Sequence, residues 1–129
     1  MSGGTRPTRP WSADELGLLD RTELIRVAGA RDDGTPRPFV TIGHVRLGQD
    51  ELVRSLNGPD GAWYRAAVRA GHGQIEVGGR NLAVAFLPDA GREAEVDQAL
   101  RARYGDDAGV RRMTSSPARE ATLRVVPLA

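Results

Sequence analysis

Between Trp11 and Val126 the chain alternates short runs of period two with three stretches of helical period. The first helical stretch opens on Ser12-Ala13-Asp14-Glu15, the capping-box form in which the Ser12 hydroxyl and the Glu15 carboxylate satisfy each other's free backbone N–H groups. Trp11 before the cap and Leu16 after it have the spacing of a hydrophobic staple, and a helix over about 13–20 follows. Over 23–28, Ile25 and Val27 alternate with polar or charged neighbours, which predicts a strand running into the turn Asp32-Asp33-Gly34. Residues 39–46 and 51–55 read as a hairpin pair joined through Leu47-Gly48-Gln49-Asp50. Pro36 and Pro38 mark a strand entry or edge there, because proline cannot donate to a ladder.

Asn57-Gly58-Pro59-Asp60-Gly61 is turn chemistry, with Asp60 placed to cap the alanine-rich helix expected over 62–70 and Gly71 placed to stop it. The alternating runs 74–77 and 81–87 flank Gly78-Gly79-Arg80, a hairpin signal because glycine supplies the positive φ of tight turns. A helix over 92–104 sets Val96, Ala99, Leu100 and Arg103 on one side and stops at Gly105, and 121–126 reads as a closing strand. Neither an internal repeat nor a second domain is visible. The pattern predicts an α+β protein: a six-stranded, mostly antiparallel sheet curled into a small barrel, with about three helices. Residues 1–10, rich in Gly, Thr, Arg and Pro, are expected to be a flexible lead-in, and 11–129 a single domain.

Composition narrows the chemistry. With 18 basic and 17 acidic residues the formal charge is +1, so no overall field favours nucleic acid or an anionic membrane. The Arg111-Arg112 doublet falls in an expected loop and is too short to mark a nucleic-acid surface. Every basic residue is arginine, which removes Schiff-base chemistry and a P-loop, both of which need lysine. The absence of cysteine removes disulfides, thiolate nucleophiles and thiolate metal sites. His44 and His72 are the only histidines and show no metal-ligand spacing, so no metal is expected. There is no apolar leader and no run of transmembrane length, and a cytoplasmic location is the expectation.

Several segments taken together resemble the bacterial family called domain of unknown function 2255 and, more loosely, the split β-barrels that bind flavin or deazaflavin. They are Trp11-Ser12, the turn Asp33-Gly34-Thr35-Pro36-Arg37, the strand end Leu52-Val53-Arg54-Ser55, the helix start Gly61-Ala62-Trp63-Tyr64-Arg65-Ala66-Ala67, and Gln74-Ile75-Glu76-Val77-Gly78-Gly79. The deazaflavin-dependent nitroreductases show a similar order of Gly-x-Pro-Arg turn, strand, glycine loop, Trp-Tyr pair and glycine hairpin. The resemblance implies a split barrel that usually dimerises, with ligand pockets at the subunit interface. This chain departs from it in two places. Ile42-Gly43-His44 stands where family members often carry a tryptophan, and the lysine-bearing phosphate turn of the nitroreductases is absent, leaving Arg31 and Arg37 as candidates to replace it.

A flavin-type phosphate needs fixed N–H donors and positive charge, and Arg37, Arg54, Ser55, Gly58, Trp63 and Arg65 are the candidate coenzyme contacts. Asp60 works against a phosphate at the start of the second helix, because its carboxylate competes for the same N–H groups. One ring of the Trp63-Tyr64 pair is positioned to stack on a planar ligand while the other fills core. Arg65 and Arg69, one turn apart, form either an anion-facing pair or a solvated face. His44, on a strand, and Tyr64 are the candidate acid–base groups. His72, between two glycines, reads as a loop residue, and no nucleophile elbow accompanies Ser55.

The resemblance therefore implies a homodimer that binds FMN or a deazaflavin coenzyme and reduces a small organic substrate. Two other classes stay open: a cofactor-free barrel that binds a metabolite and acts as a cyclase or isomerase in a biosynthetic pathway, and a structural or interaction module without chemistry.

Overall fold

The computed structural model describes residues 6–129, so the first half of the expected lead-in lies outside the described residues. Residues 6–10 lie against the end of the chain, with Thr8 bridging Leu128, Arg9 N–H donating to the Pro127 carbonyl at 3.0 Å, and the Arg9 guanidinium gripping Glu15 through two 2.8 Å bonds.

Helix α1 (Ala13–Arg21) starts in the expected capping box, and Trp11 and Leu16 join the same core. Strand β1 (Leu24–Gly29) pairs antiparallel with β2 (Val40–Gly43). Strands β3 (Val45–Leu47) and β4 (Asp50–Arg54) form the next hairpin. A short 3₁₀ turn (Gly58–Asp60) leads into α2 (Ala62–Ala70), and Gly71 closes that helix in the left-handed conformation, φ 77°. The hairpin of β5 (His72–Val77) and β6 (Arg80–Pro88) turns on Gly78 and Gly79, both at positive φ as the sequence requires. Helix α3 (Glu93–Tyr104), the short helices α4 (Ala108–Met113) and α5 (Ser116–Arg119), and β7 (Thr122–Pro127) complete the chain.

The sheet has seven strands in the order β2-β1-β5-β6-β7-β4-β3, all paired antiparallel. Its two outer strands, β2 and β3, are consecutive along the chain and separated only by His44. The strand expected over 39–46 is therefore two strands meeting at a corner. At that corner the His44 N–H donates to Tyr104 Oη at 3.0 Å instead of entering a ladder, which is why one predicted strand becomes two. The two short helices were also missed. Their caps are nevertheless present in the sequence: Asp107 accepts from the Val110 N–H, and Ser115 precedes a proline in the first turn.

The barrel interior is packed by Trp11, Leu19, Ile25, Val27, Val53, Ile75, Val84, Phe86, Leu123 and Val125, among others. A second cluster, Val45, Leu52, Val96, Leu100 and Met113, lies under α3 on the outer face. Leu52 and Val53, adjacent in β4, join opposite clusters, as the two-residue period of a strand demands. Because both faces are covered there, β4 is buried almost throughout. Trp11 closes one end of the interior, its indole N–H donating to the Val125 carbonyl at 3.2 Å.

Candidate functional site

The segment between β1 and β2 is held tightly by its own polar groups. Arg31 N–H donates to the Thr35 carbonyl, Gly34 N–H to the Arg31 carbonyl, and Arg37 N–H to the Gly29 carbonyl. The Thr35 hydroxyl and N–H both donate to Asp33, which lowers the Asp33 carboxyl pKa. Gly34 supplies the positive φ, 89°, that the turn needs. Helix α2 lies directly against the end of β1, where a Cβ on Gly29 would sit 2.9 Å from the Ala66 carbonyl carbon and the Ala67 nitrogen. Helix and turn consequently meet along a groove.

One part of that groove, about 270 Å³, is lined by Arg31, Asp32, Arg37, Arg69 and His72 with small alanines between them. The adjoining part, about 390 Å³, is lined by Arg37, Ala62, Arg65, Ala66 and Arg69. Arg65 and Arg69 are four residues apart and so project from the same side of α2. Among the described residues none of the four guanidinium groups belongs to an ion pair. Asp32 is the one carboxylate on the wall.

The other expected contacts are elsewhere. Arg54 is 2% exposed, and its guanidinium donates to Asp97, to Thr122 Oγ1 at 3.0 Å, to the Met113 carbonyl at 3.0 Å and to the Glu93 carbonyl at 3.2 Å. It ties β4 and β7 to α3 and α4 and lines neither part of the arginine groove. Ser55 Oγ is buried, and a Cβ on Gly61 would come within 2.3 Å of it. Gly58 takes a positive φ, 70°, against Pro117. These three positions are occupied by packing. Asp60 does not cap α2, because it ends the preceding 3₁₀ turn; the N-cap is Gly61, without a side-chain bond. Trp63 and Tyr64 meet edge to face, 6.3 Å between centroids, and pack on the barrel core from the side of α2 opposite Arg65 and Arg69. Neither ring lines the groove.

His44 is 1% exposed at the corner between β2 and β3. Its Nε2 lies 2.7 Å from the Thr22 carbonyl oxygen and 3.2 Å from the Arg103 guanidinium. Its Nδ1 lies 2.6 Å from an oxygen of the wholly buried Glu51 carboxylate. Burial raises the Glu51 carboxyl pKa, an effect His44 only partly offsets. Arg103 approaches from α3 and donates to the Thr22 carbonyl at 2.6 Å. His44 thus works as an internal fastening, and a ligand reaches it only if the corner opens. The sequence reading passed over His72 as a loop residue. In the structure it is the first residue of β5, paired with Ala85 and set in the wall of the arginine groove.

Comparison with solved structures places the fold. A conserved hypothetical protein of Mycobacterium tuberculosis, Rv2991, superposes with TM-score 0.62 at 11% identity, covering 99% of this chain and 86% of that one. An F420 reductase superposes with TM-score 0.56 at 17% identity, covering 88% and 91%. A pyridoxamine 5′-phosphate oxidase-like protein of Listeria innocua gives 0.57 at 10%, covering 88% of each chain. At these identities the likeness establishes the split β-barrel fold. Comparison with curated proteins finds no match. The family model described as "Uncharacterized protein conserved in bacteria (DUF2255)" matches residues 15–125, which takes in α1 and nearly all of the barrel, and the chain belongs to that family.

Proposed function

We propose that the protein binds a flavin or deazaflavin coenzyme, with the anionic part of the coenzyme in the arginine groove, and acts as an oxidoreductase on a small organic substrate. The observation that supports this most is the convergence of Arg31, Arg37, Arg65 and Arg69, all without carboxylate partners among the described residues, on one groove beside α2. Guanidinium forks match phosphate oxygens two at a time, and these four are carried by a hydrogen-bonded turn and a helix. Arg37 and Arg69 line both parts of the groove and are the central pair, with Arg31 and Arg65 flanking them. Asp32 repels an anion and biases its seat toward α2.

The coenzyme, when bound, supplies the redox chemistry, and the chain supplies binding, orientation and local charge. His44 is not needed for this reading, and an acid–base mechanism centred on it would require the barrel corner to open. The functional unit is proposed to be a homodimer. Among the described residues, Leu24, Val40, Leu56 and Val68 are the large apolar side chains left exposed on the single subunit.

Titration of the purified protein with FMN and with a deazaflavin coenzyme, followed by absorbance and fluorescence, tests the reading. Saturable binding of one of them, weakened at least tenfold in Arg37→Ala combined with Arg69→Ala, is the expected result. Failure of the wild-type protein to bind either coenzyme rejects it.

A further inference from the structure

The arginine groove does not end at His72. On the far side of that residue is a second depression of about 200 Å³, walled by Ala30, Pro36, Gly73, Ala83 and Leu128, with Arg6 and Gln74 at its margin. Ala30 and His72 line both hollows. One wall of the pair is therefore cationic and the other largely apolar, and an imidazole stands at the junction. Each of these two hollows is smaller than the roughly 300 Å³ at which ligand pockets begin, whereas together they fall within the usual range.

The backbone fixes His72 there. Gly71 ends α2 with a positive φ of 77°, so the chain turns directly from the helix into β5. The carbonyl of His72 accepts the Ala30 N–H at 3.1 Å, and a Cβ on the following Gly73 would lie 2.0 Å from the Ala28 carbonyl oxygen. The imidazole is half-buried. Arg31, Asp32 and Arg37 from the turn, Arg69 from α2 and Arg6 from the N-terminal segment share its two hollows, an excess of positive charge. Burial first, and Arg6 second, lower its pKa below that of an ordinary imidazole. In neutral solution the ring is uncharged, with one nitrogen donating and the other accepting.

We propose that His72 is the specificity contact of a two-part site, which takes a ligand whose anionic group lies in the arginine groove and whose uncharged ring lies in the apolar cleft, with the imidazole bonding at their junction. The chemical class is an aryl or heterocyclic phosphate, and the proposal rests on the reading of the groove as an anion site. It supplies what that reading lacks, a seat for a ring, since Trp63 and Tyr64 face the core.

The smallest probes that separate the parts are inorganic phosphate and phenyl phosphate, with affinities read by NMR titration of the wild-type chain and of two variants, His72→Ala and Ala83→Phe. The second variant fills the cleft from an exposed strand position and leaves every arginine in place. Burying the ring is expected to make phenyl phosphate bind about tenfold more tightly than inorganic phosphate in the wild type. Either variant is expected to abolish that preference, Ala83→Phe while leaving inorganic phosphate bound within about twofold, and phenyl phosphate is expected to shift the His72 imidazole resonances. Equal affinities in the wild type, or a preference that survives both variants, overturns the two-part site. Phosphate binding that is indifferent to Arg37→Ala overturns the groove assignment. Preferential binding of phenyl phosphate together with no binding of FMN or deazaflavin rejects the coenzyme and leaves the two-part site standing.

Discussion

Arg54 of β4 and Asp97 of α3 form a buried ion pair, and Arg119 of α5 closes on the other oxygen of the same carboxylate at 2.9 Å. The pair locks the outer helical layer to the barrel wall, and removing Asp97 strands the Arg54 charge away from water. Asp97→Ala is expected to cost about 3–5 kcal/mol in urea unfolding, and Arg54→Met, which leaves Asp97 paired with Arg119, less. The double variant is expected to lose clearly less than the sum of the two. Additive losses would show that the charges are not coupled.

Folding favours the protonated form of Glu51. Its carboxyl pKa is raised above the ordinary 4.5, so the folded state binds this proton more tightly than the unfolded state does. Stability from this source is complete below pH 4.5 and declines as pH rises through the raised folded value. Glu51→Gln keeps the size and shape of the side chain and removes the ionisation. Thermal melts against pH should therefore show a flatter alkaline side for the variant, and an unchanged slope would count against a raised Glu51 pKa.

Glu15 has the opposite sign. The Arg9 hydrogen bond first, with Ser12 assisting, lowers its carboxyl pKa from 4.5 to about 2. The stability it confers is complete above pH 4.5 and is lost as pH falls toward 2. Arg9→Gln is expected to shift acid unfolding to higher pH, as read by circular dichroism. Coincident acid transitions for variant and wild type would mean that residues 6–10 do not hold the helix start in solution.

Ser55 separates packing from binding. Its buried hydroxyl has no hydrogen-bond partner in the structure, so Ser55→Ala removes an unsatisfied group and is expected to leave stability unchanged or raise it by up to about 1 kcal/mol. Coenzyme affinity is expected to be the same in this variant. A tenfold loss would return Ser55 to the binding site.

Coenzyme binding through the groove should weaken as salt rises, because the arginines there are exposed and salt screens them. Titrations at increasing sodium chloride are expected to show a smaller salt dependence for Arg65→Ala than for the wild type. Identical salt dependence would remove Arg65 from the contact.

Features that depend on neighbours along the chain were legible in the sequence. The capping box at Ser12, the Gly78-Gly79 hairpin and the stops at Gly71 and Gly105 each depend on a few adjacent residues, and each stands where the pattern puts it. Asp60 misled because an acidic residue before a helix has the same local signature whether it caps that helix or ends a preceding turn. The corner at His44 was hidden for a different reason. The alternation runs through it without interruption, and the group that breaks the strand is Tyr104, 60 residues away. Arg54 carried the right resemblance but the wrong exposure, since α3 and α4, which cover it, are distant in sequence. The arginine groove was half visible: Arg31 and Arg37 were candidates, and Arg65 with Arg69 read more readily as a solvated face than as an anion-facing pair. Only the close approach that Gly29 permits brings the two pairs together.

That the two outer strands of the sheet are one continuous stretch of chain also orders the events of folding. The pairs β1–β2, β3–β4 and β5–β6 join neighbours along the chain and form early, at little cost in loop closure. The pairing of β4 with β7 joins Leu52 to Arg124 and must wait until almost the whole polypeptide is in place. Until then the His44 corner links two hairpins that are free to swing about it. The arrival of β7 turns that hinge into a closed wall.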